Sequence, residues 1–498
     1  MKLLNLCLCA LSLLITAGVS KDTQPNILFL IGDDINRDSL GPWGGDAKTP
    51  HLDQMAKDGM RLDNVYANVA MCAPFRQELY SGRVCWRTRA IPNHSKSLPD
   101  TKSLPHYLRP LGYKVALLGK SHVGPESAYP FESLGGTGDP KVDNSDSIFD
   151  RAKAYAIASR DEGKPFCLMI AANDGHGPYT TGDPSQYDPQ ALTIAPDALD
   201  TREYRAELVK HYAEVTNLDR LLGRLRDMLK EEKLDQNTLV VYCSEQGSGF
   251  PFGKWSCYND GLASGIVMAL PGKIPANSSN DQLCWMSDFT PTFVEAAGGK
   301  VNPEDFDGRS QWKNFTGGNQ KVHDYAYGAF TNCNIIANRD RIFPIRSIRD
   351  KRYSLIWCPR GDEEITSNTT LMDALKLKNG ETLKNTNTAA SWVRKAQKVG
   401  SDRQKLITER LHTRPVWALY DRKKDPHELK NLYGNPEHAE TQQRLQTALE
   451  KWLEKWGDSD PAATERDFHN PTLAAKEKAK KEAKKADRQA KAKEPQAE

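Results

Sequence analysis

Residues 71–83, MCAPFRQELYSGR, put a cysteine at the start of what reads as a short helix. Pro74 suits a first helical turn, where no backbone N–H has an intrahelical partner, and Gly82 suits the position just past the last turn. Cys72 then stands at the helix entrance, where unpaired N–H groups and the positive dipole end favour an anion, with Arg76 one turn on as a second cationic donor. The competing interpretation of the same residues is a capped surface helix whose cysteine is buried or disulfide-bonded. Other residue types able to do chemistry recur in short clusters: the adjacent carboxylates Asp33 and Asp34, the pair Lys120 and His122, His176 after Asn173-Asp174-Gly175, the Ser244-Glu245-Gln246 triplet, and Lys254. Taken singly, each is equally a solvated turn or a surface side chain.

What must position them is visible in the pattern around them. Asn26 to Ile31 (NILFLI), residues 114–118 (KVALL), 166–172 (FCLMIAA) and Thr238 to Cys243 (TLVVYC) are apolar runs with strand character, and four of the clusters begin where these runs end. Runs without polar alternation suit strands covered on both faces by helices, as in a largely parallel sheet. In open α/β sheets ligands bind beyond the carboxyl ends of the strands, so the clusters converge on one sheet edge. Residues 50–59 (PHLDQMAKDG) read as a helix with Pro at its start and Gly at its end. Across residues 201–232, Tyr204, Leu208, Tyr212, Val215, Leu218, Leu221, Leu222, Leu225 and Leu229 recur at three- and four-residue spacing, giving an amphipathic helix whose stripe is core.

A chain of 498 residues is long enough for two domains, since single cores stop growing near ~250–300 residues. An apolar content of 38% with ten tryptophans indicates a globular protein, and a net charge of +3 is too small to imply nucleic acid as a partner. That charge is unevenly placed: residues 476–493 hold nine Lys/Arg against three Asp/Glu, which leaves the remainder mildly acidic. Residues 1–20 read as a signal peptide: Lys2, an apolar run over 6–15, then Ala17, Gly18 and Ser20 near a cleavage point. The mature protein is then expected to be secreted or periplasmic, with no transmembrane segment. Eight cysteines follow that segment, in no zinc-ligand spacing, and their pairing is not readable from sequence.

The motifs also carry a resemblance. Cys72, Pro74 and Arg76, followed by Ser81, Gly82 and Arg83, resemble the C-x-P-x-R and Ser/Thr-Gly-Arg/Lys signature of the type I, formylglycine-dependent sulfatases of the alkaline-phosphatase-like superfamily. The resemblance implies that a formylglycine-generating maturation enzyme oxidises Cys72 to formylglycine (3-oxoalanine), whose hydrated diol attacks sulfur. A hemiacetal sulfate can expel sulfate by re-forming the aldehyde, whereas an ordinary serine sulfate would be a stable ester. Asp33 and Asp34 match the family's aspartate pair. With residue 72, Glu245 and Gln246 they would ligate a divalent cation. Glu245-Gln246 stand where the family most often has Asp-Asn or Asp-His, so both ligands gain a methylene. Calcium's flexible coordination tolerates this better than magnesium's, and calcium is expected.

Residues 114–124 (KVALLGKSHVG) resemble the family's G-K-W-H-x-G turn, with Ser121 in place of tryptophan. On that match Lys120 would neutralise sulfate oxygens, and His122 would hydrogen-bond the diol and assist its collapse. His176 matches the histidine of P-H-x-P, with Gly175 replacing proline, and would be the general acid. Residues 252–261 (FGKWSCYNDG) resemble F-G-K-W-x-x-Y-x-x-G, making Lys254 the second sulfate-clamping lysine, and Glu245 could also take the attacking proton. Residues 288–293 (DFTPTF) and 419–432 (LYDRKKDPHELKNL) resemble family segments as well, while 343–357 (FPIRSIRDKRYSLIW) read as two short strands around Asp350-Lys351.

The expected fold is therefore α/β, a large mixed, mostly parallel sheet sandwiched by helices, plus a smaller carboxy-terminal α+β domain with a short antiparallel sheet. The expected limits are 21–335 and 336–470, with a charged low-complexity tail over 471–498. The expected activity is hydrolysis of a sulfate ester, on a sulfated carbohydrate. A phosphomonoester or phosphonate hydrolase of the same superfamily, or an inactive glycan-binding homologue, are the other readings. Arg339, Arg341, Arg346 and Arg349 crowd the start of the second domain and are expected to bind further anionic groups of the substrate.

Overall fold

Strand β1 (Asn26–Ile31) is buried at every position, as a strand at the centre of a two-faced layer must be. Around it the large sheet contains β2 (Met60–Tyr66), β3 (Lys114–Gly119), β4 (Glu132–Ser133), β5 (Phe166–Ala171), β6 (Thr238–Cys243), β7 (Ile266–Ala269) and β8 (Ser278–Trp285). Their order is β4-β3-β5-β1-β6-β7-β2-β8. All neighbours are parallel except those of β7, which runs antiparallel to both β6 and β2. The computed structural model describes residues 24–136, 144–332, 342–363 and 388–468. The leader-like segment 1–20, Cys333, Arg339, Arg341 and the charged tail from 471 lie outside the described residues.

The period of two along each strand splits its side chains between two cores. Leu28 and Leu30 of β1, Leu168 and Ile170 of β5, and Val240 and Tyr242 of β6 face one. Ile27, Phe29, Ile31, Cys167, Met169, Leu239 and Val241 face the other. The first face is covered by the helices Pro50–Asp58 and Arg202–Glu231, through Leu52, Met55, Leu218, Leu221, Leu222 and Leu225. The second is covered by Phe75, Leu79 and Tyr80 of the helix Cys72–Ser81 and by Phe289 and Phe293 of the helix Phe289–Ala296. Phe29 meets both of the latter rings edge-on at 5.9 Å, a favoured aromatic geometry.

A second sheet of four antiparallel strands, β9 (Ala326–Phe330), β10 (Ile345–Arg349), β11 (Tyr353–Trp357) and β12 (Trp417–Asp421), is ordered β12-β11-β10-β9. It begins at Ala326, ahead of residue 336, and contributes Ala329, Ile345, Ile348, Leu355 and Leu419 to the same core as the 202–231 helix. Among the described residues all seven cysteines are unpaired and buried, and no helix is long and apolar enough to cross a membrane.

Candidate active site

Strands β1, β3, β5 and β6 are parallel neighbours, so their carboxyl ends lie at one edge and deliver Asp33–Asp34, Lys120–His122, Asp174–His176 and Glu245–Gln246 together. Short backbone ties hold the turns: Gly32 N donates to Cys243 O (2.8 Å), Asp33 N to Asp174 O (3.0 Å) and Lys120 N to Ala171 O (2.9 Å). Asp34 (φ 58°), His122 (φ 51°) and Glu245 (φ 60°) adopt the left-handed region, a cost that surrounding structure must over-determine and that clusters at functional sites. The helix Cys72–Ser81 begins at Cys72 and ends at Gly82, whose φ of 68° is the left-handed cap expected of that glycine.

Each aspartate is two-sided. Asp33 Oδ1 lies 3.4 Å and Asp34 Oδ1 3.6 Å from Cys72 Sγ, while Asp33 Oδ2 accepts from Lys120 and Asp34 Oδ2 from Lys254 at 2.7 Å. Lys254 also reaches Cys72 Sγ at 3.1 Å. Arg76, fully buried, donates from Nε to Glu245 Oε1 (2.7 Å) and from Nη1 to Lys120 O (2.7 Å). Three carboxyl groups thus meet three cationic side chains, so the acidic groups of this dry site have charged or hydrogen-bonding partners. Burial alone would raise Asp33, but Lys120 and then Arg76 outweigh it and hold its carboxyl well below the ordinary value. Glu245 goes the other way: burial pushes it up to about 8 against the pull of Arg76. Burial, then Asp33, Asp34 and Glu245, push the Cys72 thiol well up, so the thiol is not a thiolate.

The donor set fits a hard divalent cation. One donor atom from each of Asp33, Asp34, Cys72 and Glu245 lies within 4.8 Å of the others. Gln246 donates from Nε2 to Asp34 Oδ1 and keeps Oε1 buried without a hydrogen-bond partner among the described residues. Sulfur is the only soft atom in the set, and an oxygen in its place would make the set oxygen throughout, as calcium or magnesium prefers.

Three histidines border this centre. His176 Nε2 is 3.6 Å from Asp34 Oδ2 and its Nδ1 is 2.7 Å from Gly177 O. His122 is pushed down to about 3, by burial first and then by Lys120 and Arg76, and is neutral. His211, on the long helix, places Nε2 3.2 Å from Asp34 O, and burial brings it down to about 4. Glu214 of the same helix accepts from the backbone N–H groups of Gly175 (2.9 Å), Thr180 (2.6 Å) and Thr181 (2.9 Å), which fastens the loop that carries His176. Beside the centre opens a cavity of about 470 Å³ whose walls include Lys120, His122, Asn173, His176 and Thr181. Every residue expected at the catalytic and metal positions is therefore brought to this edge. His211, Glu214 and His94, the last 2.7 Å from His122, join them here from stretches of sequence that carry no motif.

Two of the expected substrate-binding arginines do not fit that role. Arg346 and Arg349 are wholly buried and cannot face a ligand. Arg346 pairs with Asp458 and donates to the carbonyls of Phe330 and Ile345; Arg349 donates to Cys257 O at 2.6 Å and lies over the Tyr66 ring. Both sit on β10, which is covered on both sides, so local charge density mistook structural anchors for a binding surface. Arg339 and Arg341 lie outside the described residues.

Residues 25–299 match the model of the sulfatase family, and the chain is 31% identical over 444 residues to an ulvan-active sulfatase of Formosa agariphila, covering 87% of this chain and 81% of that protein. The chain belongs to the sulfatase family. Within the family, this sulfatase matches the carboxy-terminal model of N-sulphoglucosamine sulphohydrolase over residues 248–374 and 385–455. It is 24% identical to the human N-sulphoglucosamine sulphohydrolase over 499 residues, covering 90% of this chain and 93% of that one. A solved structure described as in complex with its substrate D-glucosamine-2-N,6-O-disulfate shares the fold, with a TM-score of 0.65 at 20% identity over 88% of this chain and 99% of that one. Membership makes the chain a sulfuric ester hydrolase, and it agrees with the two-sheet fold.

Proposed function

We propose that this sulfatase hydrolyses a sulfate group on a saccharide, with residue 72 acting as formylglycine and a divalent cation, calcium before magnesium, held by Asp33, Asp34, Glu245 and Gln246. The observation that carries the proposal is the convergence of Asp33, Asp34, Gln246 and Lys254 on Cys72, with Glu245 beside them and held by Arg76. Converted, residue 72 would supply a hydrated aldehyde as the oxygen nucleophile, and the cation would supply positive charge to the sulfate oxygens. Lys254 and Lys120 hold ammonium groups at the edge of that space for the same oxygens. Arg76 fixes Glu245 by a charge-assisted bond. His176, its Nδ1 held on Gly177 O, presents Nε2 to the departing alcohol oxygen as the general acid. The cavity of about 470 Å³ beside His176 has the size and mixed lining of a small-ligand site, and would take the sugar.

The saccharide assignment is supported by the substrates named for the relatives. Export of the chain, to the periplasm or beyond the cell, rests on the leader-like residues 1–20, and maturation by a formylglycine-generating enzyme rests on Cys72, Pro74 and Arg76. The test is sulfate release, by ion chromatography, from O- and N-sulfated glucosamine and from sulfated oligosaccharides, run beside an aryl phosphate. The proposal expects sulfate release that Cys72→Ala abolishes. Turnover of the phosphate with none of the sulfated sugars would move the assignment to a phosphoester hydrolase.

A further inference from the structure

Among the described residues, His122 is the imidazole at this centre whose hydrogen-bond partner is another imidazole. Its Nε2 lies 2.7 Å from His94 Nδ1, and the two rings are 4.7 Å apart at 46°. Its other nitrogen, Nδ1, is buried without a hydrogen-bond partner among the described residues. Both histidines hold left-handed backbones, His94 at φ 60° and His122 at φ 51°, and such outliers persist only where surrounding structure fixes them. The loop that carries His94 is fastened to the nucleophile helix. Gln77 accepts from Ser97 N (2.7 Å) and Ser97 Oγ (2.9 Å) and donates to Ser95 O (3.0 Å), and Ala73 N donates to Asn93 Oδ1 at 3.4 Å.

An N···N hydrogen bond between two neutral rings holds a single proton, so the pair has two states. If His94 Nδ1 donates, His122 must carry its own proton on Nδ1. If His122 Nε2 donates, its Nδ1 is a lone pair. Sulfate oxygens only accept, so only the first state gives His122 a donor for a sulfated substrate. We propose that His94 is a positioning residue that donates from Nδ1 to His122 and thereby locks His122 as its Nδ1–H tautomer, ready to donate to a sulfate oxygen. The inference rests on the sulfatase reading for what His122 meets, but not for which tautomer it holds.

The decisive variants are near-isosteric. In His94→Asn the amide N–H₂ can stand where Nδ1–H stood; in His94→Asp a carboxylate there can only accept, which demands a proton on His122 Nε2 instead. His94 is exposed, so neither change disturbs a core. On the mature protein with sulfated glucosamine, His94→Asn should keep kcat within about threefold, while His94→Asp and His94→Leu should lose kcat by ~10–100-fold with KM little changed, the usual effect of removing an orienting partner. Nitrogen-15 NMR of histidine-labelled protein, assigned by comparison with His122→Gln, should show His122 protonated on Nδ1 in the wild type and His94→Asn, and on Nε2 in His94→Asp. Equal losses in the Asn and Asp variants, unchanged kcat in all three, or a wild-type His122 protonated on Nε2 would each overturn the proposal. Wild-type protein that releases no sulfate yet shows the Nδ1–H tautomer would instead count against the sulfated substrate and leave the tautomer lock standing.

Discussion

Arg76 shows how closely side chains here depend on one another. Its guanidinium is fully buried, and two of its nitrogens reach Glu245 and the Lys120 carbonyl at 2.7 Å each. Replacing it with methionine keeps much of the volume but leaves Glu245 Oε1 and the Lys120 carbonyl without their donor in a dry interior, and a buried acceptor left unpaired costs ~1–3 kcal/mol. Urea titration of Arg76→Met should show a loss of that size, and a shift below ~1 kcal/mol would mean that the pair is not the anchor described. At this scale the sequence was legible where a motif marked the position: Cys72, Arg76, Lys120, His122, His176 and Lys254 stand in motif contexts, and the fold brings them to one edge. It was not legible where a role depends on a distant partner. His211 occupies an ordinary position on an amphipathic helix, and only the fold brings it to Asp34. Arg346 reads as one of a substrate-binding cluster, while in the fold it is buried against Asp458, 112 residues away.

At the scale of elements, the long helix does two jobs. Its leucine stripe forms core, as its spacing predicts, while Glu214 takes three backbone N–H groups of the loop that carries His176. Losing that carboxylate leaves three amides without their acceptor, at a cost of ~1–3 kcal/mol if they stay dry. Glu214→Ala should therefore raise hydrogen exchange over 174–181 and lower kcat, with exchange in β1 and β6 unchanged; a silent loop would contradict its fastening role. The strands β1, β3, β5 and β6 could be read because each is an uninterrupted apolar run. β2 mixes buried and half-buried residues along MRLDNVY, and β7 is only four residues long, so neither stands out from the surrounding sequence. They pair because the sheet's far side needs them, and that is information the local sequence does not hold.

For the whole molecule, the contact between the two sheets rests on charge as well as apolar packing. Asp458 accepts from Arg346 and from Trp86 Nε1 at 2.7 Å, joining the carboxy-terminal segment, β10 and the short helix Cys85–Thr88. Burial would raise the Asp458 carboxyl, but Arg346 overrides it and holds the group below its ordinary value. A lowered folded pKa contributes stability above the unfolded value, about 3.9, that is lost as pH falls through the folded one. Asp458→Asn should therefore cost ~3–5 kcal/mol at pH 7, with the gap to wild type narrowing below about pH 4; a gap constant down to pH 3 would show that the ion pair is not its source. The proposed metal site belongs to this scale too, because the residues that would hold the cation stand on the turns after β1 and β6 and at the start of the helix Cys72–Ser81. Chelation should lower the thermal midpoint of the wild type and calcium should restore it, while Asp33→Asn/Asp34→Asn protein should respond to neither. Everything in the catalytic reading depends finally on what residue 72 is in the active protein. Peptide mass spectrometry across residues 71–83 of preparations matured to different extents, set against their sulfate-releasing turnover, tests this most directly. Turnover should be proportional to the fraction in which the thiol-bearing carbon has become an aldehyde, and full turnover from protein carrying only unmodified Cys72 would contradict the formylglycine assignment.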